Sequence, residues 1–279
     1  STWNPSIGCD IVSPGCTNCY AMRQAHRLAS NPVLKPNRYK GTTKPSRKGP
    51  VWTGVVRMAS RQTILKPLSW RKPSLIFVNS MCDVFHPSLK ASEVAQIFAV
   101  MALGKRHVYQ VLTKRPDIML AFVANPSTPA SVELAMQAIK PGSKLSEWPL
   151  NNVWMGTSVE DQRRARERIK TLLQVPAAVR FLSMEPLLGD VVLEDELTKA
   201  DWKKLHWIIV GGESGPNARP MHPVWARRIR DACSKHGVQF FFKQVGSNAW
   251  VKDRKAAEFL AVEGRLVAIR ASGSDQGIL

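Results

Sequence analysis

The chain has 279 residues, 44% of them hydrophobic, which is enough for one large buried core or two smaller ones. Its formal net charge is +19, and its five cysteines are an odd number in a chain too long to need disulfide staples, so a reducing, cytoplasmic setting is expected. No apolar run approaches the ~20 residues of a bilayer span, and neither end reads as a signal, transit or lipidation segment, which argues against a membrane partner.

In chain order, "TWNPSIG" (2–8) reads as a first strand. Directly after it, Cys9, Cys16 and Cys19 fall within eleven residues in the spacing C-x6-C-x2-C. From Ile11 to Cys82 there is no acidic residue, yet Arg38, Lys40, Lys44, Arg47 and Lys48 lie among many other cations. Such a surface attracts polyanions through counterion release, and nucleic acid is the usual polyanion. Six prolines between 31 and 73 mark a basic insertion after the first helix, with "GPVWTGVVRM" (49–58) as a hairpin inside it.

Beyond residue 70 a repeated grammar begins. "SLIFVNSMCD" (74–83) precedes "SEVAQIFAVMAL", "HVYQVLTKRP" (107–116) precedes "DIMLAFVA", and "NVWMGTSVED" (152–161) precedes "QRRARERIKTLL". "VRFLSMEPLLG" (179–189), "HWIIVGGESG" (206–215) before "PVWARRIRDACSKHG", and "VQFFFKQVG" (238–246) complete it. Short apolar runs alternating with stretches of helical period mean parallel βα units. With the first strand they number about seven, which predicts an α/β fold: a full or partial (βα) barrel over 1–246 that includes the insertion 31–73. An open doubly wound sheet is the alternative, although neither a dinucleotide fingerprint nor a Walker loop is present. Residues 125–150 form a second excursion, and 247–279 a C-terminal extension.

The chemistry of a βα barrel gathers at the carboxyl ends of its strands. Those positions here hold Cys9; Asn79, Ser80 and Asp83; Thr113, Lys114 and Arg115; Thr157, Ser158 and Glu160; Ser183 and Glu185; Glu213 and Ser214; Lys243 and Gln244. Helix capping accounts for some of them, Ser158 above all, but less well for Glu185 before Pro186 or Lys243 at the end of "FFFK". The ring suits a polar, charged ligand. For the three cysteines the residues alone leave three readings open. A zinc site needs a fourth ligand, a redox pair would leave Cys9 idle, and an iron–sulfur cluster on three thiolates would keep one iron open.

The cysteine motif resembles that of the radical S-adenosylmethionine (SAM) superfamily, whose usual spacing is C-x3-C-x2-C with an aromatic residue before the last cysteine. The gap of six and Asn18 are departures. The ordered series "TWNPSIGCDIVSPGCTNCYA", "FVNSMCDVFHP", "LTKRP", "GTSVEDQ", "RFLSMEPLLG", "IIVGGESGPNARPMH" and "FFFKQVG" is similar to the three-cysteine-motif phage protein family, a divergent radical-SAM-like group.

The resemblance implies that Cys9, Cys16 and Cys19 hold a [4Fe–4S] cluster whose open iron binds SAM. It implies cleavage of SAM to a 5′-deoxyadenosyl radical, with a reductant such as flavodoxin or ferredoxin. Asn79, Ser80, Asp83, Ser158, Glu160 and Glu185 become SAM candidates. Arg38, Lys40, Lys44, Arg47, Lys48, Lys114, Arg115, Glu213, Arg219 and Lys243 become substrate or nucleic-acid candidates. Cys82, Asp83 and His86 are the catalytic candidates, with Cys82 as a hydrogen donor or simply a half-buried thiol. Cys233 reads as core, and Trp52, Trp70 and Tyr39 as base-stacking rings or as the insertion's own core. The implied activity is radical modification or rearrangement of a nucleobase or base adduct, DNA favoured over RNA. The rivals are a lesion-repair lyase and a zinc-stabilised binding protein without catalysis.

Overall fold

A computed structural model describes residues 1–248; residues 249–279 of the expected extension lie outside the described residues. The fold is mixed α/β and divides into two compact units. The first comprises Ser1–Val12, Cys19–Met155 and Gln174–Val179; the second comprises Ser13–Asn18, Gly156–Leu173 and the chain from Arg180 onward. The cysteine segment is therefore shared. Cys9 and Cys19 belong to the first unit, and Cys16 belongs to the second.

In the first unit the expected opening strand breaks in two. Strand β1 (Thr2–Trp3) and strand β2 (Ser6–Ile7) flank Asn4–Pro5, where proline removes a ladder donor. Helix α1 (Tyr20–Ala29) follows the cysteines with Cys19 as its N-cap. The insertion then forms β3 (Thr43–Lys44), β4 (Val51–Trp52), β5 (Arg57–Met58) and the short helix α2 (Arg61–Leu65).

The hairpin expected at 49–58 is not formed as such. Strand β4 pairs backwards with β3, and β5 pairs antiparallel with β2. The turn signal in that stretch is Gly54, which here carries the chain from one small ladder to the next instead of closing one.

Strand β6 (Leu75–Val78), helix α3 (Ala91–Leu103), strand β7 (Val108–Thr113) and helices α4 (Pro116–Val123) and α5 (Thr128–Ile139) complete the unit's regular elements. Strand β6 lies parallel between β1 and β7, with Phe77 opposite Thr2 and Ile76 opposite Tyr109. Helix α3 buries residues on every side, from Val94 to Ala102, as an interior helix must. Its Phe98 packs in tilted geometry against Phe85, Phe122 and Trp148 at centroid distances of 5.2–6.3 Å.

Strand β8 (Val153–Ser158) carries the chain into the second unit, where helix α6 (Gln162–Gln174) begins and strand β9 (Val179–Met184) ends. Helix α7 (Lys199–Trp202), strand β10 (Trp207–Gly211), helix α8 (Pro223–His236) and strand β11 (Gln239–Gln244) follow. Strand β10 lies parallel between β9 and β11, with Trp207 opposite Phe181 and Gln239. Cys233 on α8 is fully buried, as core.

The seven longer-range strands are ordered β1-β6-β7-β8-β9-β10-β11. That sequence runs without the reversal that defines a doubly wound sheet, so the topology is that of a partial (βα) barrel. Among the described residues no helix is long and apolar enough to cross a membrane.

Candidate functional site

The loop Ser13–Asn18 in the second unit is held by side chains from two later strand ends. A short 3-10 turn, Pro14–Cys16, forms because Pro14 presets the first dihedral, and Cys16 N donates back to Ser13 O at 2.9 Å. Ser13 Oγ donates to Glu160 Oε1 at 2.6 Å and lies 4.0 Å from Cys16 Sγ. Glu160 follows β8 and is fully buried. It is paired with buried Arg168 of α6 at 3.0 Å, whose guanidinium also donates to Ser158 O at 2.8 Å. A buried carboxylate survives only when its lone pairs are met in this way. Gly15 lies so close that a Cβ there would stand 2.5 Å from Glu160 Cγ and Oε1.

The other flank of the loop rests on Glu213, after β10. Asn18 Nδ2 donates to Glu213 Oε2 and to Asn217 O, both at 2.9 Å. Arg219 donates to the same carboxylate from its backbone N at 2.8 Å, from Nε at 2.9 Å and from a terminal nitrogen at 2.5 Å. That terminal nitrogen also donates to Pro14 O at 2.9 Å. Burial alone would raise the Glu213 pKa, but the bonds from Arg219 and Asn18 outweigh it and hold the carboxyl below its ordinary value.

In the first unit, Cys9 and Cys19 pack against one small core of Ile7, Ala21, Met22, Ala25, Trp52 and Met81, with Tyr39 beside them. Trp52 is thus core and not an open stacking platform. Gly8, at φ +91°, lets the chain run close to Val55 O just before Cys9, where any Cβ would collide with that carbonyl. Burial, helped by Asp83 and Cys82, pushes the Cys9 thiol pKa up. Cys82 is likewise pushed up to about 12, chiefly by burial.

Beside these thiols sits a charged knot. Asp83 accepts from Thr113 Oγ1 at 2.7 and 2.9 Å, from Phe85 N at 2.9 Å, from Lys114 N at 3.1 Å and from Arg115 at 2.9 Å. Arg115 also binds Asp10, and His86 Nε2 lies 3.2 Å from the same Asp10 oxygen. His86 Nδ1 accepts from Ser88 N at 3.1 Å, so the neutral ring carries its proton on Nε2, facing Asp10. Burial and the Arg115 charge keep the His86 pKa below its usual value.

The other expected SAM contacts are committed locally. Asn79, at φ +62°, exchanges bonds with Ser6 at 2.7 and 3.2 Å, and Ser80 Oγ donates to Asn4 Oδ1 at 3.1 Å. Glu185 accepts from Lys243 at 3.0 Å and from Gln244 at 2.9 Å. His222 caps α8 by accepting from Val224 N at 3.2 Å. Arg38, Lys40, Lys44, Arg47 and Lys48 lie on the insertion, the last two between β3 and β4, and Lys40, Lys44, Arg47 and Lys48 are exposed.

The structure therefore draws together Cys82, Asp83, His86 and Arg115, and separately Glu160, Glu213 and Arg219 with the cysteine loop. Sequence reasoning singled out neither Asp10, Ser13 nor Arg168 and treated Asn18 only as a departure. Asp10 could have been found as the last acid before the long acid-free stretch, and Arg168 as a cation on the apolar face of its helix.

The family of proteins of unknown function DUF5131 matches residues 1–270. The chain belongs to that family. No curated protein and no solved structure matches the chain.

Among the described residues no group of three or more His, Cys, Asp or Glu side chains is arranged to hold a metal ion. As residue types, the thiols of the DUF5131 chain are the soft donors that an iron–sulfur cluster takes. None of the five cysteines is tied up in a disulfide, three of them are closely spaced soft donors, and Cys19 stands at a helix N-terminus, where negative charge is favoured.

Proposed function

We propose that the protein is a radical SAM enzyme acting on nucleic acid, with Cys9, Cys16 and Cys19 as the ligands of a [4Fe–4S] cluster. One observation carries the reading: three thiols in C-x6-C-x2-C, none in a disulfide, lie between the opening strands and the first helix of a consecutively ordered sheet. A cluster held there with one iron open would supply the one-electron chemistry that cleaves SAM to a 5′-deoxyadenosyl radical, with the electron coming from an external reductant. The chain's own residues bind and orient. To meet a cationic amine, Asp83 in the first unit would exchange one of its present donors, and Glu185 in the second would release Lys243 or Gln244. His86 Nε2 faces Asp10 at 3.2 Å, beside the same Arg115.

The substrate in this reading is a nucleobase or base adduct, in DNA sooner than RNA, as the phage-like resemblance suggests. A base inside a duplex is shielded, so it is met flipped or single-stranded. Support comes from the net charge of +19 and from the cations Arg38, Lys40, Lys44, Arg47 and Lys48 on the insertion. Lys114 and Lys243 are further substrate-side candidates. A flavodoxin or ferredoxin is the expected electron donor, in a bacterial cytoplasm. Cys82 favours a second reading, a lesion-repair lyase, because its half-buried thiol lies beside Asp83 with Sγ donating to Asp83 O at 3.5 Å, within reach of a hydrogen-donor role.

The test is anaerobic. Protein reconstituted with iron and sulfide, reduced and given SAM, is expected to form 5′-deoxyadenosine, and Cys16→Ala to form none. A colourless protein that retains zinc and leaves SAM intact would overturn the reading and leave a non-catalytic binding protein.

A further inference from the structure

We propose that Asn18, through Glu213 and Arg219, is a positioning residue that keeps Cys16 in its ligand-presenting place before any metal arrives. The inference deepens the cluster reading and rests on it for the identity of the group presented; the positioning itself is measurable without metal.

The amide of Asn18 has two protons and both are used, one on Glu213 and one on Asn217 O, each at 2.9 Å. Asn217 adopts φ +61°, a left-handed turn that asparagine tolerates well. Glu213 is itself buried and accepts from three donors of Arg219. Because the same guanidinium also holds Pro14 O at 2.9 Å, the loop is gripped on both sides of Cys16, at positions 14 and 18. Cys16 is buried at 7% exposure in consequence.

The chemistry of position 18 is narrowly set. An aromatic residue there would supply no pair of donors. An aspartate would set a second carboxylate against Glu213 and forfeit the bond to Asn217 O. The residue before the last cysteine is an amide here because this chain uses it to lock the loop from behind.

The experiment follows alkylation of Cys16 by mass spectrometry in full-length protein stripped of metal. Asn18→Asp is expected to raise the alkylation rate about ten- to hundredfold, as loss of a charge-assisted hydrogen bond does. The milder Asn18→Ala should give a smaller rise. Melting temperature should fall far less across these variants than the alkylation rate rises, because the bonds of Arg219 to Glu213 and Pro14 remain. In reconstituted protein the same order should appear in resistance of iron to chelator and in the line shape of the reduced cluster's electron paramagnetic resonance.

Equal alkylation rates in wild type and Asn18→Asp, or a rise matched by a general loss of stability, would overturn the positioning role. Wild-type protein that takes up no iron and sulfide, while alkylation still follows the expected order, would overturn the cluster reading and leave the positioning standing.

Discussion

Gly15 shows how much one hydrogen atom decides in the cysteine segment. It sits between Pro14 and Cys16 because the Glu160 side chain fills the space a Cβ would need, at 2.5 Å. Glu160 cannot swing aside, since Ser13 and Arg168 hold both its oxygens in a buried setting. Gly15→Ala is expected to cost about 1–3 kcal/mol of stability, the usual penalty for overpacking. Gly189→Ala, whose new atom would meet only Asp161 Cβ at 3.9 Å, should change stability by less than about 0.5 kcal/mol. Equal melting shifts for the two would refute the tight fit. The three thiols were legible in the sequence because ligand spacing is local. Their holders were not, because Glu160, Glu213 and Arg219 reach the loop from residues more than a hundred positions away.

At the scale of elements, period and capping made the helices and the parallel strands readable, and the short antiparallel ladders defeated the same rules. A two-residue strand such as β5 has no period, so its partner is chosen by packing alone. Helix α7 illustrates the opposite case, a short helix written by its cap. Thr198 accepts from Asp201 N, Asp201 accepts in return from Thr198, and Lys170 reaches Asp201 at 2.8 Å.

These contacts, led by the Lys170 bond, lower the Asp201 pKa from 3.8 to about 2. A carboxyl with a lowered folded value contributes its stability above the unfolded value and loses it as pH falls toward the folded one. Asp201→Asn should therefore be less stable than wild type by about 1 kcal/mol at neutral pH, an ordinary cap loss. That gap should close between about pH 4 and pH 2 in urea-unfolding curves. A gap that did not change with pH would mean the charge contributes nothing.

At the scale of the whole molecule, the grammar of alternating strands and helices gave about seven parallel strands but left a barrel and a doubly wound sheet both open, and the consecutive order decides for the partial barrel. What the grammar could not reveal was the division into two units, because that depends on which contacts form and not on which elements exist.

Charge is the other property of the whole. With a net +19 and Lys44, Arg47 and Lys48 exposed around one small hairpin, retention on duplex DNA should fall steeply between roughly 50 and 200 mM salt. Replacing those three by glutamine should flatten the logarithmic salt slope by about 2–3, close to one for each phosphate no longer neutralised. Retention indifferent to salt would remove nucleic acid as the partner.

The cysteine loop also has a place in time. Its partners lie 147, 195 and 205 residues further along the chain. At a synthesis rate of about 5–20 residues per second, the loop leaves the ribosome roughly 10–40 s before Arg219 exists to close on it. For that interval Cys16 has none of the cover it acquires in the finished fold. Contacts this distant form last, so the thiols become a built site only when nearly all of the described chain is made, and loading belongs to the completed protein, not to the nascent one.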